Sequence, residues 1–214
     1  MRPFPDRAQA GRELAAVVAE HVQPPGVVVL GLPRGGVPVA AEVARALGAP
    51  LDVFMVRKLG VPGRRELAMG AIASGGVRVV NREVVDGLGV PDDRIAAVAR
   101  REAAELERRE RAYRGDAAPV AVVGATAVLV DDGLATGSTM RAAVAALRQQ
   151  DAARVVVAVP VAPPSVCQSL AREVDLMVCL RTPEPFLAVG RWYRDFSEVS
   201  DDDVRELLRW VPQT

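Results

Sequence analysis

The sequence predicts an α/β fold in which helices flank a central, mostly parallel sheet. Three observations carry that expectation. Apolar, strand-like runs alternate with helix-like segments along the 214 residues. Half of the residues are hydrophobic, enough to close one core in a chain of this length. Three of the apolar runs end in polar or glycine-rich segments: Arg34 to Gly36, Arg57 with Lys58, and Asp131 to Thr139. In open α/β sheets ligands gather at the carboxyl ends of the strands, so these segments are expected to converge on one crevice.

Residues 8–22 read as a short amphipathic helix. Val27-Val28-Val29-Leu30 is a buried-strand run. Gly31-Leu32-Pro33-Arg34-Gly35-Gly36 follows it, and then a helix over 37–47 that Gly48 closes. A second apolar strand at 51–56 delivers Arg57 and Lys58 to its carboxyl end. Leu59-Gly60-Val61-Pro62-Gly63-Arg64-Arg65-Glu66 reads as an irregular loop, because its glycines and proline oppose regular structure. A strand is expected near 77–80. Pro91-Asp92-Asp93 starts a long charged helix that ends near Gly115. Its apolar stripe of Ile95, Val98, Ala99, Leu106 and Tyr113 is narrow, and Glu105 with Arg109 and Glu107 with Arg111 stand at i,i+4. It reads as a solvated helix packed by one edge, with a subunit contact in a homodimer as the alternative. A strand at 126–131, a helix at 138–150, a strand at 154–159, a helix at 165–173 and a strand at 175–180 complete the core. Asp201-Asp202-Asp203 then opens a helix from Val204 to Trp210, its acids set against the positive helix end.

Residues 126–139 are the most informative stretch. An apolar strand runs into Asp131 and Asp132 and then into Gly133-Leu134-Ala135-Thr136-Gly137-Ser138-Thr139. Adjacent carboxylates at a strand end can accept hydrogen bonds from neighbouring ribose hydroxyls. Thr136, Gly137, Ser138 and Thr139 open a helix whose free N–H groups attract a phosphate. A tight turn capped by Ser138 is the plainer reading, but such a turn needs neither paired acids nor a hydroxyl-rich loop. The segment resembles the phosphoribosyl pyrophosphate signature of type I phosphoribosyltransferases. Gly133 departs from it, since that family more often has an apolar residue there. Pro33-Arg34-Gly35-Gly36 resembles the family's pyrophosphate loop: a cation beside two residues without Cβ lets backbone N–H groups approach a diphosphate.

The resemblance spans residues 26–180 and implies a type I phosphoribosyltransferase fold within one domain, 1–214, with a small hood from segments 1–7 and 181–214. It implies Mg2+-dependent transfer of phosphoribose from phosphoribosyl pyrophosphate to a nitrogen acceptor, a nucleobase being the candidate, with release of pyrophosphate. Asp131 and Asp132 would then fix the ribose and reach the metal, through water in one version. Ala135, Thr136, Gly137, Ser138 and Thr139 would hold the 5-phosphate, and Arg34, Gly35, Gly36 and Lys58 the pyrophosphate. Arg57 and Lys58 open the segment that in this family covers the transition state, with Arg64, Arg65 and Glu66 further along it. A surface role for Lys58 is the alternative; all but one of the 27 basic residues is arginine, and a single lysine must fall somewhere. Phe4 and Asp6 at one end, and Pro183, Pro185, Phe186, Trp192, Tyr193 and Phe196 at the other, are the hood candidates. The aromatic residues there are expected to anchor the tail by burial rather than stack on an acceptor.

The remaining features exclude more than they propose. A net formal charge of zero argues against a polyanion partner such as nucleic acid. The N-terminus lacks a signal-like apolar stretch and no window reads as a membrane span, so a cytoplasmic location and no membrane contact are expected. His21 is the single histidine, which rules out a histidine triad. Cys167 and Cys179 have neither metal nor disulfide-framework spacing and read as inert core thiols. No glycine-rich motif of kinases or dinucleotide enzymes is present. Two rival functions stay open: a regulatory protein that senses phosphoribosyl pyrophosphate or nucleotides through the same cradle, and a phosphoribosyl-recognising hydrolase or accessory domain.

Overall fold

Five parallel strands form the central sheet: β1 (Val27–Gly31), β2 (Leu51–Val53), β6 (Thr126–Val130), β7 (Arg154–Val161) and β8 (Leu176–Arg181). Their order is β2-β1-β6-β7-β8 in the computed structural model, which describes residues 2–209, the side chains of Arg65 and Glu66 excepted. From β1 the chain runs outward to β2; from β6 it runs the other way to β7 and β8. The reversal lies between β1 and β6, which pair from Val27 with Thr126 to Gly31 with Val130. A crevice is expected beyond the carboxyl ends of two strands where their winding direction changes.

The strands are apolar on both faces because both faces are covered. Ala127 and Leu129 of β6, with Val155, Val157 and Val159 of β7, pack with Met140, Ala143, Val144 and Leu147 of α5 (Ser138–Gln149). Val128, Val130, Val156 and Ala158 point the other way, into α1 (Arg7–Ala19) and α2 (Gly36–Leu47), where Leu14, Val18, Val39, Val43 and Ala44 are buried. This is the period-two alternation of a sheet between two helical layers. α6 (Pro164–Leu170) links β7 to β8.

The segment between β2 and β6 departs from expectation. The strand expected at 51–56 is divided, β2 ending at Val53 and β3 (Val56–Val61) beginning a second, antiparallel sheet. The stretch 59–66, expected to be an irregular loop, is the tip of a hairpin between β3 and β4 (Arg64–Ala73); β5 (Arg78–Val80) completes the three strands. Pro62 and Gly63 do not break the structure here. They form its turn, Gly63 taking φ +77° between the paired residues Val61 and Arg64. A register shift at Gly60 absorbs the remaining irregularity. A short helix, α3 (Arg82–Gly87), also went unforeseen; Asn81 caps it, its side chain accepting from the N–H of Val84.

α4 (Asp92–Arg114) lies along this hairpin sheet as the narrow stripe predicts, burying Ile95, Ala99, Leu106 and Tyr113. Its far end is fastened by Arg114, which donates to buried Asp52 at 2.7 Å. α7 (Asp201–Leu208) returns against α2 and α4 and opens with a capping box between Ser200 and Asp203. Trp210, the expected end of that helix, lies outside the described residues, as does Met1 of the expected hood. Seven α-helices stand among the described residues, and none of them is long and apolar enough to cross a membrane.

The two ends of the chain meet. Phe4 bridges to Tyr193, its N–H donating to the Trp192 carbonyl and its own carbonyl accepting from the Arg194 N–H, both at 2.8 Å. Phe4 is fully buried, its ring centroid 5.6 Å from that of Tyr193, and the Arg181 guanidinium sits 3.4 Å over it. Burial is thus what Phe4 and Tyr193 do, as expected, whereas Leu187 and Phe196 stay exposed.

Candidate functional site

β1 and β6 end side by side, and each is followed by the segment singled out from the sequence. After β1 the chain turns through Arg34 and Gly35 into α2, with a cis peptide between Pro33 and Arg34. After β6 come Asp131 and Asp132. The two segments touch so closely that side chains are excluded. A Cβ on Gly35 would lie 2.1 Å from Oδ2 of Asp132. One on Gly36 would lie 2.7 Å from the Val130 carbonyl oxygen and 3.0 Å from Oδ1 of Asp131. Both glycines have ordinary negative φ, so contact rather than backbone conformation demands them.

The acids are half-buried and adjacent, an arrangement that disfavours double ionisation. Burial, and then the charge of Asp132, holds Asp131 well above the usual carboxylate range. Asp131 Oδ1 accepts from the Asp132 N–H at 2.9 Å. Asp132 is also raised by burial, with Arg7 pulling the other way. Arg7 Nε donates to Asp132 Oδ2 at 2.8 Å, the two side chains being 11% and 13% exposed. Tyr193 donates its hydroxyl to the Asp132 backbone carbonyl at 2.5 Å, and burial pushes its own pKa up.

The cradle follows. Ala135 and Thr136 are exposed, and Gly137 takes φ +72° at the head of α5, where Val166 and Leu170 crowd it. The hydroxyls of Thr136 and Ser138 lie 3.1 Å apart. Ser138 and Thr139 are exposed on the first turn of α5, where backbone N–H groups and the helix dipole favour an anion. Arg141, one turn on, holds the loop: it donates to the Thr136 carbonyl at 2.9 Å, to Glu173 at 3.0 Å and to Ser169 Oγ at 3.0 Å.

Arg57 and Lys58 are neighbours in sequence but lie on opposite faces of β3. Arg57 turns to α4 and donates to Glu102 Oε2 at 2.9 and 2.6 Å. Lys58 lines a cleft of about 460 Å³ with Val56, Gly70, Ser138, Thr139 and Arg141. The hairpin therefore brings Lys58, and not Arg57, to the mouth of the cradle. Arg64 stands on β4, beyond the turn; the side chains of Arg65 and Glu66 lie outside the described residues. Arg34 is exposed and faces two acids of the C-terminal segment, pairing with Glu198 and lying 3.7 Å from Asp201.

Of the hood candidates, Asp6 caps α1, its Oδ1 accepting from the Gln9 N–H at 2.7 Å. Its neighbour Arg7 was missed. Nothing local marks it, because its partner lies 125 residues away. Arg141 was missed for a similar reason, two of its partners, Ser169 and Glu173, lying 28 and 32 residues away.

Residues 63–178 match the family model for the phosphoribosyl transferase domain. The chain is 44% identical to TT1426 from Thermus thermophilus, whose crystal structure superposes with a TM-score of 0.85 over 97% of this chain and 98% of that one. It is 50% identical over 208 residues to MT0597 of Mycobacterium tuberculosis (strain CDC 1551), whose name places it provisionally among the phosphoribosyl transferases. The same identity holds for Rv0571c of strain H37Rv, similarly named. The alignment covers 97% of this chain but 47% of each curated relative, so the chain spans about half their length.

Proposed function

This chain belongs to the phosphoribosyl transferase family, and we propose that it transfers phosphoribose from phosphoribosyl pyrophosphate to a nitrogen acceptor, a nucleobase being the candidate. The observation that carries this reading is the contact of Gly35 and Gly36 with Asp132 and Asp131. It joins a diphosphate turn and a ribose-binding acid pair at the point where the sheet reverses direction.

In the proposed reaction the acceptor nitrogen bonds to C1 of the ribose as the bond from C1 to the pyrophosphate oxygen breaks. The electron pair leaves with pyrophosphate and the acceptor proton passes to solvent. Asp131 and Asp132 orient the ribose hydroxyls. Ala135, Thr136, Gly137, Ser138 and Thr139 hold the 5-phosphate, where α5 presents free N–H groups. Arg34, Gly35 and Gly36 hold the diphosphate, Lys58 approaches it from the hairpin, and Arg57 fixes the hairpin to α4 through Glu102. Positioning and electrostatics supply most of the acceleration on such a plan. Residues 2–7 and 181–209 serve as the hood over the acceptor.

The acid pair fits a magnesium ion held chiefly by donor oxygens and water. Among the described residues no group of three or more histidine, cysteine, aspartate or glutamate side chains is placed to hold a metal ion by itself, and Mg2+ commonly keeps several waters. The chemistry expected of it there is neutralisation of the leaving pyrophosphate.

Pyrophosphate release tests the reading: the chain, incubated with phosphoribosyl pyrophosphate, Mg2+ and single nucleobases, should release it only with the right acceptor. Donor binding without release under any acceptor would favour the sensing alternative. One observation speaks for that alternative: carboxylates of Glu198 and Asp201 already engage Arg34.

A further inference from the structure

Arg7, the first residue of α1, reaches the acid pair from the N-terminal end of the chain. Its guanidinium is held in three directions. Nε donates to Asp132 Oδ2 at 2.8 Å, NH1 donates to the Ser197 carbonyl at 2.8 Å, and the Phe196 ring lies 3.9 Å beneath its central carbon. A Cβ on Gly35 would come within 3.4 Å of Nε, so the group also borders the diphosphate turn.

Burying an arginine against an aspartate costs desolvation that a pair of apolar side chains would avoid. The partner acid is the one whose carboxylate meets Gly35, beside the ribose position of the reading above. The bond from Nε occupies Oδ2 and restrains the Asp132 carboxylate. The same planar fork reaches Ser197, and its face lies on Phe196, both in the C-terminal segment that pairs with Phe4. A lysine ammonium could keep the charge but could not serve all three directions.

We infer that Arg7 is a positioning residue of the donor site, acting through the Asp132 carboxylate. The inference rests on the proposed donor site. Arg7 orients the carboxylate that receives the ribose, so its loss falls on donor affinity before it falls on the bond-making step.

Calorimetric titration of the full chain with phosphoribosyl pyrophosphate and Mg2+ tests this, with Arg7→Lys, Arg7→Met and Tyr193→Phe as variants. Tyr193→Phe removes a hood contact to the Asp132 backbone and leaves the carboxylate pair intact. A charge-assisted hydrogen bond of the usual strength predicts a loss of donor affinity of roughly 10-fold for Arg7→Lys and up to about 100-fold for Arg7→Met. Donor KM should rise in proportion, with a smaller change in kcat. Arg7→Lys, which keeps charge and stem, decides the matter should Arg7→Met not fold. Undiminished donor affinity in Arg7→Lys would overturn the inference while leaving the donor site standing. So would an equal loss in Tyr193→Phe, which would assign the effect to the hood as a whole. A parent chain that binds no donor would remove the donor site and this inference together.

Discussion

Oδ2 of Asp132 lies 2.1 Å from where a methyl group on Gly35 would sit. A glycine after the first strand and an acid after the sixth are thus fitted to each other across most of the core sequence. Gly35→Ala is expected to push the two strand ends apart, costing about 1–3 kcal/mol of stability and lowering donor affinity by at least an order of magnitude. Thermal unfolding and donor titration of the same variant measure the two effects. A variant with parental values in both would mean that the turn and the acid do not form one site.

The acid pair should cost stability at neutral pH. Asp131 ionises at about pH 3.9 in an unfolded chain, and in the fold burial and Asp132 hold it well above that. The native state therefore binds the proton more tightly. The associated stability is complete below the unfolded pKa and is lost as pH rises through the folded one. Asp131→Asn should raise the midpoint of unfolding at neutral pH and flatten its fall between the unfolded pKa and neutrality, while abolishing donor binding. A lower midpoint at neutral pH would contradict the account.

The two faces of β3 place neighbouring residues in different surroundings, Arg57 against Glu102 of α4 and Lys58 in the cleft beside Ser138 and Thr139. Lys58→Ala should slow turnover at least tenfold, and it should slow turnover by more than it lowers the unfolding temperature, because its side chain lines the cleft beside Ser138 and Thr139. Arg57→Ala breaks the pair with Glu102, whose side chain is 14% exposed, and should chiefly destabilise the hairpin. Equal effects of both variants on turnover and on unfolding would show that the two faces are not distinct.

Arg141 ties the cradle carbonyl of Thr136 to Ser169 and Glu173. Arg141→Ala should weaken binding of ribose 5-phosphate severalfold and leave binding of pyrophosphate alone nearly unchanged. Loss of both in equal measure would point to general unfolding of the site.

Much of this was legible in the sequence. The central sheet followed from apolar runs whose neighbours were helical, and the acid pair and cradle from residue chemistry at one strand end. The hairpin was not legible, because Pro62 and Gly63 look like breakers when they are the two residues a tight turn uses. Nor was the placing of Arg57 and Lys58 on opposite faces, which depends on a strand's alternation in a stretch that reads as loop. Arg7 and Tyr193 could not be assigned to Asp132 because the contacts are long-range and no local pattern encodes them. What decided each case was whether the signal lay within a few residues of the feature it specifies.

Donor binding is read out by thermal unfolding with and without phosphoribosyl pyrophosphate, each with and without Mg2+. At a donor concentration of about 100 times its dissociation constant the native state gains about 2.7 kcal/mol, which raises the midpoint by roughly 5 to 10 °C in a chain of this size. The account predicts a shift of that order, larger with Mg2+ than without. An unchanged midpoint at millimolar donor with Mg2+ would contradict it.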